Sequence, residues 1–173
     1  MKATKILMIA VMGLMLASAS KVRSQNSDRL VFDPSAALFT ANELSLDLFG
    51  YHASRNKDGS NTDAWGPGLG VNYFITEFVG VGADTYADAF ELPYLINGSA
   101  IFRYPILTAG LAPYAFLGVG RQWEHAAQWT GHFGGGVEYR FNPRTGFFVD
   151  VRRVFAAETA DYTVVRFGFR LAF

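Results

Sequence analysis

Hydrophobic and polar residues alternate with a period of two through most of the chain from residue 42 to residue 173. A period of two places successive side chains on opposite faces of an extended strand, whereas an amphipathic helix has a period of 3.6. Most of the alternating segments have about ten residues, the length that a tilted strand needs to cross a bilayer. The pattern predicts eight strands, which are Asn42–Tyr51, Trp65–Ile75, Phe78–Tyr86, Leu95–Tyr104, Leu111–Trp123, Gln128–Phe141, Gly146–Phe155 and Tyr162–Phe173.

The segments between these strands differ in length. Short turns are predicted at 76–77, 105–110 and 142–145. Longer polar loops are predicted at 52–64 and 87–94, and the loops near 124–127 and 156–161 are only somewhat longer. Tight turns at one end and longer loops at the other are typical of transmembrane β-barrels. The sequence therefore predicts an all-β fold, an eight-stranded antiparallel up-and-down transmembrane β-barrel over residues 42–173.

The last strand indicates which of its faces points inward. One face carries Phe167, Phe169 and Phe173, and the other carries Arg166 and Arg170. An arginine that faced lipid near the midplane would cost about 2–4 kcal/mol. In a membrane barrel the two arginines therefore face the interior.

The same reasoning gives the whole interior face five acids and five arginines. Equal numbers of both signs suit a closed interior, where an unpaired charge is expensive, and a planar guanidinium can bridge several carboxylates. A catalytic or binding groove is the alternative for such a surface, but the balance of signs favours a structural network. The predicted interior charge network is Glu43, Asp47, Asp84, Arg103, Glu138, Arg140, Asp150, Arg152, Arg166 and Arg170.

Glycines and aromatic residues add two expectations. The narrow interior of an eight-stranded barrel needs small residues, and glycines collect on the interior face at 68, 70, 80, 82, 118, 120, 134, 136 and 168, whereas Gly98, Gly131 and Gly135 break this pattern. Aromatic residues collect at the strand ends, which predicts a girdle at each membrane interface. The expected members are Tyr73, Phe78, Tyr104, Tyr139, Phe141 and Phe147 near the short turns, and Tyr51, Trp65, Tyr86, Trp123, Trp129 and Tyr162 near the long loops.

The first 41 residues are unlike the rest of the chain. Lys2 and Lys5 accompany an apolar run at 6–16, and Ala17-Ser18-Ala19 has the small-x-small pattern of a signal-peptidase site. The run is shorter than the roughly 20 residues of a membrane anchor. We expect residues 1–19 to be a cleaved signal peptide. Residues 20–41 are expected to be an N-terminal periplasmic leader or a partial plug, and an extension of the first strand is left open.

Composition excludes several classes of function. The 173 residues include 15 basic and 15 acidic ones, without the basic excess that phosphate binding normally requires, so no nucleic-acid partner is expected. Cysteine is absent, which excludes disulfides, thiolate metal sites and cysteine nucleophiles. No cofactor is expected either, because the glycines at 134–136 lie inside a predicted strand and not at the strand-to-helix turn of a nucleotide site.

Three stretches resemble a known family. Residues 113–120 (PYAFLGVG) and 134–143 (GGGVEYRFNP) resemble strands of the small OmpA/OmpX-like outer-membrane β-barrel proteins. The ending is similar to the C-terminal signal by which the outer-membrane assembly machinery recognises its substrates, with Arg166, Gly168, Leu171 and Phe173 as the assembly signal. The resemblance covers residues 42–173 and implies a Gram-negative-type cell envelope, a bacterial outer-membrane location, and outer-membrane lipid and the assembly machinery as partners. It implies no activity, and we expect a monomer.

The leading hypothesis is a structural or surface-interaction barrel with a plugged polar interior and no catalysis. One alternative is an enzyme that modifies lipid A at the outer leaflet. Its histidine would need a nucleophile and an orienting acid, and neither His52, His132 nor Glu124-His125 belongs to a recognisable motif of that kind. We therefore expect no catalytic residue.

Three further alternatives are less favoured. One is a narrow channel for small solutes, and another is a soluble ligand-binding barrel of the lipocalin type. The interior glycines, the aromatic girdles and the terminal Phe173 argue against the soluble barrel. Calcium binding by Asp58 and Asp63 of the first long loop is the third, but such loops are usually only solvated, so no metal is expected.

Overall fold

Eight antiparallel strands form a closed barrel. The computed structural model of the chain describes residues 37–57, 60–88, 91–122, 127–157 and 161–173. Each strand pairs with the next, and the last pairs with the first, so the described sheet closes. The predicted fold class is confirmed. The strands are β1 (Glu43–Lys57), β2 (Ser60–Phe74), β3 (Val79–Asp88), β4 (Glu91–Arg103), β5 (Leu111–Gln122), β6 (Gln128–Asn142), β7 (Thr145–Ala156) and β8 (Tyr162–Ala172).

The first two hairpins are longer than predicted. β1 continues to Lys57 and β2 begins at Ser60, while β3 ends at Asp88 and β4 begins at Glu91. The predicted long loops at 52–64 and 87–94 are therefore wrong, since most of these residues belong to strands. Each further antiparallel pair adds backbone hydrogen bonds whatever the polarity of its side chains. A strand can therefore form in a polar segment even though the sequence there shows no alternation of hydrophobic and polar residues.

Short turns join the strands at the opposite end, as predicted. The Thr76 hydroxyl accepts hydrogen bonds from the N–H groups of Phe78 (3.2 Å) and Val79 (3.0 Å). The Asn142 side-chain oxygen accepts from the N–H groups of Arg144 and Thr145, both at 2.9 Å. These side chains satisfy backbone donors that a tight turn leaves unpaired. We call this end the turn end, and the end where β1 meets β2 the hairpin end.

The strands are strongly tilted. A path that steps from strand to strand through paired residues starts at Glu43 and returns to β1 at Ala53, ten residues further along. A shift of this size in an eight-stranded barrel corresponds to a tilt of about 40°. Residues that are not partners in the register can therefore lie at the same height inside the barrel. The path runs through Glu43, Phe74, Gly80, Ile101, Phe116, Gly134, Arg152, Val164 and Ala53.

The outer face of the barrel is apolar. Large hydrophobic side chains point outward from every strand, for example Leu48, Leu117 and Phe167, which are 43%, 57% and 44% exposed. A continuous apolar surface of this extent is not stable in water and is suited to lipid. Aromatic side chains are exposed at the turn end, where the predicted girdle members are Tyr73, Phe78, Tyr104, Tyr139, Phe141 and Phe147. No helix in the described ranges is both long and apolar enough to span a membrane.

Three predicted girdle members at the hairpin end lie inside the barrel instead. Tyr51, Tyr86 and Tyr162 are at most 3% exposed. Tyr51 follows Asp47 by four residues, and Tyr86 follows Asp84 by two, so the period of two gives each tyrosine the same inward face as the acid. Trp65 and Trp129 are exposed at this end, as predicted. Trp123 lies outside the described residues.

Candidate functional site: the charged interior of the barrel

The interior face carries all ten residues of the predicted charge network. Nine of them are buried, and the side chain of Asp84 is 10% exposed. They come from β1, β3, β4, β6, β7 and β8, and the period of two turns each of them inward. The structure divides the ten residues into two clusters at different heights.

Glu43 and Glu138 anchor the cluster nearer the turn end. Glu43 accepts hydrogen bonds from Arg103 Nη1 at 2.9 Å and from Arg140 Nη2 at 2.6 Å. Glu138 accepts from Arg140 Nε at 2.5 Å and from Arg170 Nη1 at 2.6 Å. Each carboxylate thus accepts hydrogen bonds from two guanidinium groups, and Arg140 bridges both carboxylates.

Asp47 completes this cluster at the seam between the first and last strands. Arg170 donates from Nε to Asp47 Oδ1 and from Nη2 to Oδ2, both at 2.7 Å. Asn72 Nδ2 donates to Asp47 Oδ2 at 2.9 Å. Two parallel charge-assisted hydrogen bonds are the strongest form of an arginine–carboxylate contact. The turn-end cluster consists of Glu43, Asp47, Arg103, Glu138, Arg140 and Arg170.

The second cluster lies closer to the middle of the barrel. Arg152 binds both oxygens of Asp84, at 2.9 and 2.6 Å, and Arg166 Nη1 lies 3.1 Å from Asp84 Oδ2. Arg166 also binds both oxygens of Asp150 at 2.8 Å. The Tyr114 hydroxyl donates to Asp150 Oδ2 at 2.7 Å. The mid-barrel cluster consists of Asp84, Asp150, Arg152 and Arg166.

Each cluster is electrically neutral by itself. The turn-end cluster has three arginines and three acids, and the mid-barrel cluster has two of each. Removing a charge from water costs several kcal/mol, which an opposite charge offsets only when the pair is well aligned and its remaining donors and acceptors are satisfied. The bidentate contacts of Arg152, Arg166 and Arg170 supply this alignment.

Aromatic rings cover the turn-end cluster. The guanidinium of Arg103 lies 3.6 Å from the ring centre of Phe74 and 4.9 Å from that of Phe39. Arg140 lies 4.8 Å from the same Phe39 ring and donates from Nη1 to the Leu38 carbonyl at 2.9 Å. Phe39 is only 1% exposed. The last residues of the predicted 20–41 segment are thus packed against the cluster, while residues 1–36 lie outside the described part of the chain.

The hairpin end of the interior is filled by apolar and aromatic side chains. One buried cluster contains Phe49, Tyr51, Tyr86, Leu95, Phe148, Val154, Tyr162 and Val164. A second buried cluster lies beside the two charged clusters and not at the hairpin end; it contains Phe74, Ile101, Tyr114 and Phe116. Sequence reasoning missed most of these interior aromatic residues. The period of two carries the missing signal, because Tyr114 and Phe116 share a face with Gly118 and Gly120.

Two of the interior glycines have a specific packing role. Phe49 is paired with Gly68 on β2 and with Gly168 on β8. A Cβ atom at Gly68 would collide with the Phe49 ring, and one at Gly168 would collide with Phe49 and with the Leu48 carbonyl. By contrast, a Cβ atom at Gly131 on the outer face would have nothing within 4 Å.

The two histidines that the structure describes are in different surroundings. Inside the barrel, Ser99 Oγ lies 2.9 Å from His132 Nε2, but His132 Nδ1 has no hydrogen-bond partner in the described ranges. On the outer face, His52 Nε2 lies 3.6 Å from Asp63 Oδ1, and its ring stacks on Trp65 at 4.2 Å. Neither arrangement has the nucleophile, base and orienting acid of a catalytic triad in hydrogen-bond contact. Glu124, His125 and Asp58 lie outside the described residues.

Little open space is left between the clusters. A cavity lies beside the two clusters. The volume within it that the centre of a water molecule can occupy is about 10 Å³, which is room for about one water molecule. Its lining includes Asp47, Asn72, Asp84, Ser99, Tyr114 and Arg152. In the described part of the chain there is no group of three or more His, Asp and Glu side chains that could hold a metal ion.

The predicted assembly signal lies on both faces of the end of the chain. Arg166 and Gly168 point inward, whereas Phe173 is 75% exposed. The Phe173 N–H donates to the Leu44 carbonyl at 2.8 Å, which extends the pairing of the last residues with β1. Arg166 therefore belongs to the mid-barrel cluster, while Phe173 contributes an outward ring at the turn end.

Comparison with known proteins places the fold. No protein-family model matches the sequence, and a search of curated proteins finds no match. Solved structures do match. The N-terminal β-barrel domain of Pseudomonas aeruginosa OprF has a TM-score of 0.58 at 17% identity, covering 78% of this chain and 99% of that one. The fold is that of the eight-stranded outer-membrane barrels.

Other solved barrels agree with this assignment. Neisserial surface protein A has a TM-score of 0.57 at 17% identity, covering 75% of this chain and 97% of that one. Ail, the attachment invasion locus protein of Yersinia pestis, has a TM-score of 0.57 at 14% identity, covering 77% and 99%. The predicted resemblance to small outer-membrane barrels is confirmed at the level of the fold. A de novo designed transmembrane β-barrel matches equally well, with a TM-score of 0.57 at 14% identity, so this likeness identifies no activity.

Proposed function

We propose that this chain is an integral protein of the bacterial outer membrane with a structural or surface-interaction role, a plugged polar interior and no catalysis. The observation that carries the proposal is the pairing of all ten residues of the predicted charge network into two neutral clusters. A site that binds a charged solute usually leaves charge unpaired to attract it. Here the protein's own side chains neutralise each other.

The packing around the clusters supports a plug. Phe39 and Phe74 cover the turn-end cluster, and apolar residues such as Leu95 and Val154 fill the hairpin end. An ion that crossed the barrel would have to separate well-aligned buried pairs, which costs several kcal/mol for each. We therefore propose that side chains close the interior to ions at three successive heights.

The outer surface supports the proposed location. Lipid-facing residues are mostly apolar between the exposed aromatic residues at the turn end and Trp65 and Trp129 at the hairpin end, and outward polar side chains such as Arg121 and Arg153 lie toward the hairpin end. Outer-membrane lipid is the partner that this surface fits. We also propose that the chain is a monomer, and that the assembly machinery recognises its C-terminal strand through Arg166, Gly168, Leu171 and Phe173.

Planar-bilayer recording of the purified barrel tests the plug. We expect no steady conductance at either polarity, with an open porin in the same bilayer as the positive control. A steady, ion-selective conductance would overturn the plugged interior and favour the narrow channel. Fractionation of cells and a heat-modifiability gel test the location separately, since a protein found in the soluble periplasmic fraction would contradict the membrane barrel even without any conductance.

Lipid A analysis tests the absence of catalysis. Mass spectra of lipid A from cells with and without the protein should be the same. A changed acyl pattern would contradict the proposal and favour the outer-leaflet enzyme. His52→Ala would then be the first variant to examine, because His52 lies on the outer face close to Asp63.

A further inference from the structure

The residues just before β1 lie across the turn end of the barrel. We call residues 37–42 the strap. None of them belongs to a strand, and at Asn42 the backbone has a φ of 57°. This left-handed conformation reverses the chain, so that the strap runs back over the turn end instead of continuing away from it. Ala37, Thr40 and Asn42 are exposed, whereas the Phe39 ring is buried.

The Phe39 ring covers two arginines of the turn-end cluster. Its centre lies 4.9 Å from the guanidinium of Arg103 on β4 and 4.8 Å from that of Arg140 on β6. Leu38 packs beside the turn between β4 and β5, since a Cβ atom at Gly110 would lie 3.5 Å from Leu38 Cδ1. The strap therefore reaches from β1 to strands on other sides of the barrel and closes its turn end.

The strap is held in place without an ion pair, because its residues carry no charge. Arg140 Nη1 donates to the Leu38 carbonyl at 2.9 Å, and Arg103 Nη2 donates to the Thr40 carbonyl at 3.5 Å. The Thr40 N–H donates to Glu43 Oε2 at 3.4 Å. The arginines and acids of the turn-end cluster pair with one another. Withdrawal of the strap thus avoids the large cost of breaking a buried ion pair, and water can replace the two carbonyls.

We propose that the strap is a lid that opens and closes over the turn end while the barrel stays folded. A segment opens by itself when it loses few contacts and the rest of the structure keeps its own. The strap loses one buried ring and a few hydrogen bonds, whereas every strand keeps both of its neighbours. Asn42 is the hinge, because its backbone conformation directs the strap inward and its side chain accepts a hydrogen bond from the Tyr73 hydroxyl at 3.1 Å.

This inference goes beyond the proposed function, because it makes one of the three closures of the plug reversible. When the lid is open, water reaches Arg103 and Arg140 from the turn end, which faces the periplasm in outer-membrane barrels. The mid-barrel cluster and the apolar hairpin end stay in place, so the open state is a vestibule and not a pore. The opening itself depends on the strap alone, and its test in micelles is independent of the proposed location.

Cysteine labelling tests the lid, because the chain has no cysteine of its own. Ala112 is a fully buried inward residue at the start of β5, so Ala112→Cys places a thiol that a polar maleimide should reach only when the strap opens. We expect slow labelling in micelles at a rate nearly independent of urea below the unfolding transition, since the opening of a short segment exposes little surface. Addition of Phe39→Ala should raise the rate at least about a hundredfold.

The control for this experiment is a thiol at the other end of the interior. Val164→Cys lies in the apolar cluster at the hairpin end and should gain no reactivity from Phe39→Ala. Labelling of Ala112→Cys that accelerates with urea in parallel with unfolding would mean that only unfolding opens the turn end. A labelling rate that Phe39→Ala leaves unchanged would mean that the strap does not close it. Either result overturns the lid.

A label on the strap keeps the lid testable if Ala112→Cys or Phe39→Ala fails to fold. Ala37 is exposed, so a nitroxide on Ala37→Cys should leave the packing intact, and we expect restricted motion in its electron paramagnetic resonance spectrum. Asn42→Val disfavours the left-handed hinge and should add a mobile component, whereas Asn42→Gly tolerates this conformation and should not. A gel that shows heat-modifiability checks that both barrels are folded. Identical spectra for the two hinge variants would contradict the lid.

Discussion

Arg170 and Asp47 join the last strand to the first through two parallel hydrogen bonds of 2.7 Å each. The two residues are also direct partners in the register of β8 and β1. The ion pair therefore lies inside the seam at which the barrel closes. Because Arg170 also binds Glu138, closure of the sheet and assembly of the turn-end cluster depend on the same side chain.

Substitution of Asp47 by asparagine should destabilise the barrel strongly. Asp47→Asn leaves Arg170 with one carboxylate instead of two in a buried site, and breaking a buried pair in this way costs about 3 kcal/mol. The measurement is the free energy of unfolding in urea, in micelles or vesicles. Arg153→Ala is the control, since Arg153 is an exposed arginine that lies 3.9 Å from Asp161, and its loss should cost less than about 1 kcal/mol. Equal effects of the two variants would refute the role of the seam pair.

The Phe39 ring should hold the start of the described chain against the barrel. Phe39→Ala removes a fully buried ring that stacks on Arg103 and Arg140, so we expect the free energy of unfolding to fall by about 3 kcal/mol. Phe39→Leu keeps most of the apolar volume and should lose clearly less. If Phe39→Ala unfolds like the wild type, the packing of residues 37–40 contributes nothing to stability.

The interior glycines around Phe49 should not tolerate a side chain. Gly68→Ala places a methyl group against the Phe49 ring, and we expect a loss of about 1–3 kcal/mol from overpacking. Gly131→Ala is a matched control on the outer face, where a methyl group meets no atom within 4 Å. Replacing the ring by a smaller side chain in the double variant Gly68→Ala, Phe49→Leu should recover part of the lost free energy of unfolding. An equal response of Gly68 and Gly131 to alanine would show that the inward and outward faces are not as described.

The cost of an outward charge should depend on its height. Leu117 is 57% exposed on β5, between the aromatic residues of the two ends, and Leu117→Arg should destabilise the barrel in lipid vesicles by about 2–4 kcal/mol. Trp65→Arg at the hairpin end should cost about 1 kcal/mol or less from charge burial. A difference between the two that persists in aqueous solution without lipid or detergent would contradict a membrane location.

The proposed assembly signal predicts a defect in cells that purified protein lacks. Phe173 is 75% exposed, so Phe173→Ala removes little packing and should change the free energy of unfolding by less than about 1 kcal/mol. In cells, the amount of heat-modifiable protein in the outer membrane should fall severalfold. Val165→Ala, another apolar residue of the same strand, is the control and should assemble normally. Normal assembly of Phe173→Ala would remove the case for recognition through this residue.

Sequence reasoning was most accurate where alternation was strong. The order of eight strands and the inward face of β8 follow from the period of two, because the cost of a lipid-facing Arg166 or Arg170 leaves only one orientation. The prediction from sequence was least accurate in the polar hairpins. β1 continues through His52 to Lys57 because backbone pairing does not depend on the polarity of the side chains, whereas the loop was predicted from that polarity. The tyrosines Tyr51, Tyr86 and Tyr162 were misplaced because an aromatic residue at a strand end suits either an interface or an interior.

The sequence by itself determined the class of fold, the face on which charge is hidden and the equality of positive and negative residues on that face. These properties follow from local alternation and from the energy of a charge in lipid, and both can be evaluated strand by strand. Only the tertiary structure decided which arginine binds which acid. The ten-residue shift around the barrel tilts the strands, and the tilt brings residues from distant strands to one height, as with Arg140 and Glu43. The division into two neutral clusters depends on that geometry, which no single strand contains.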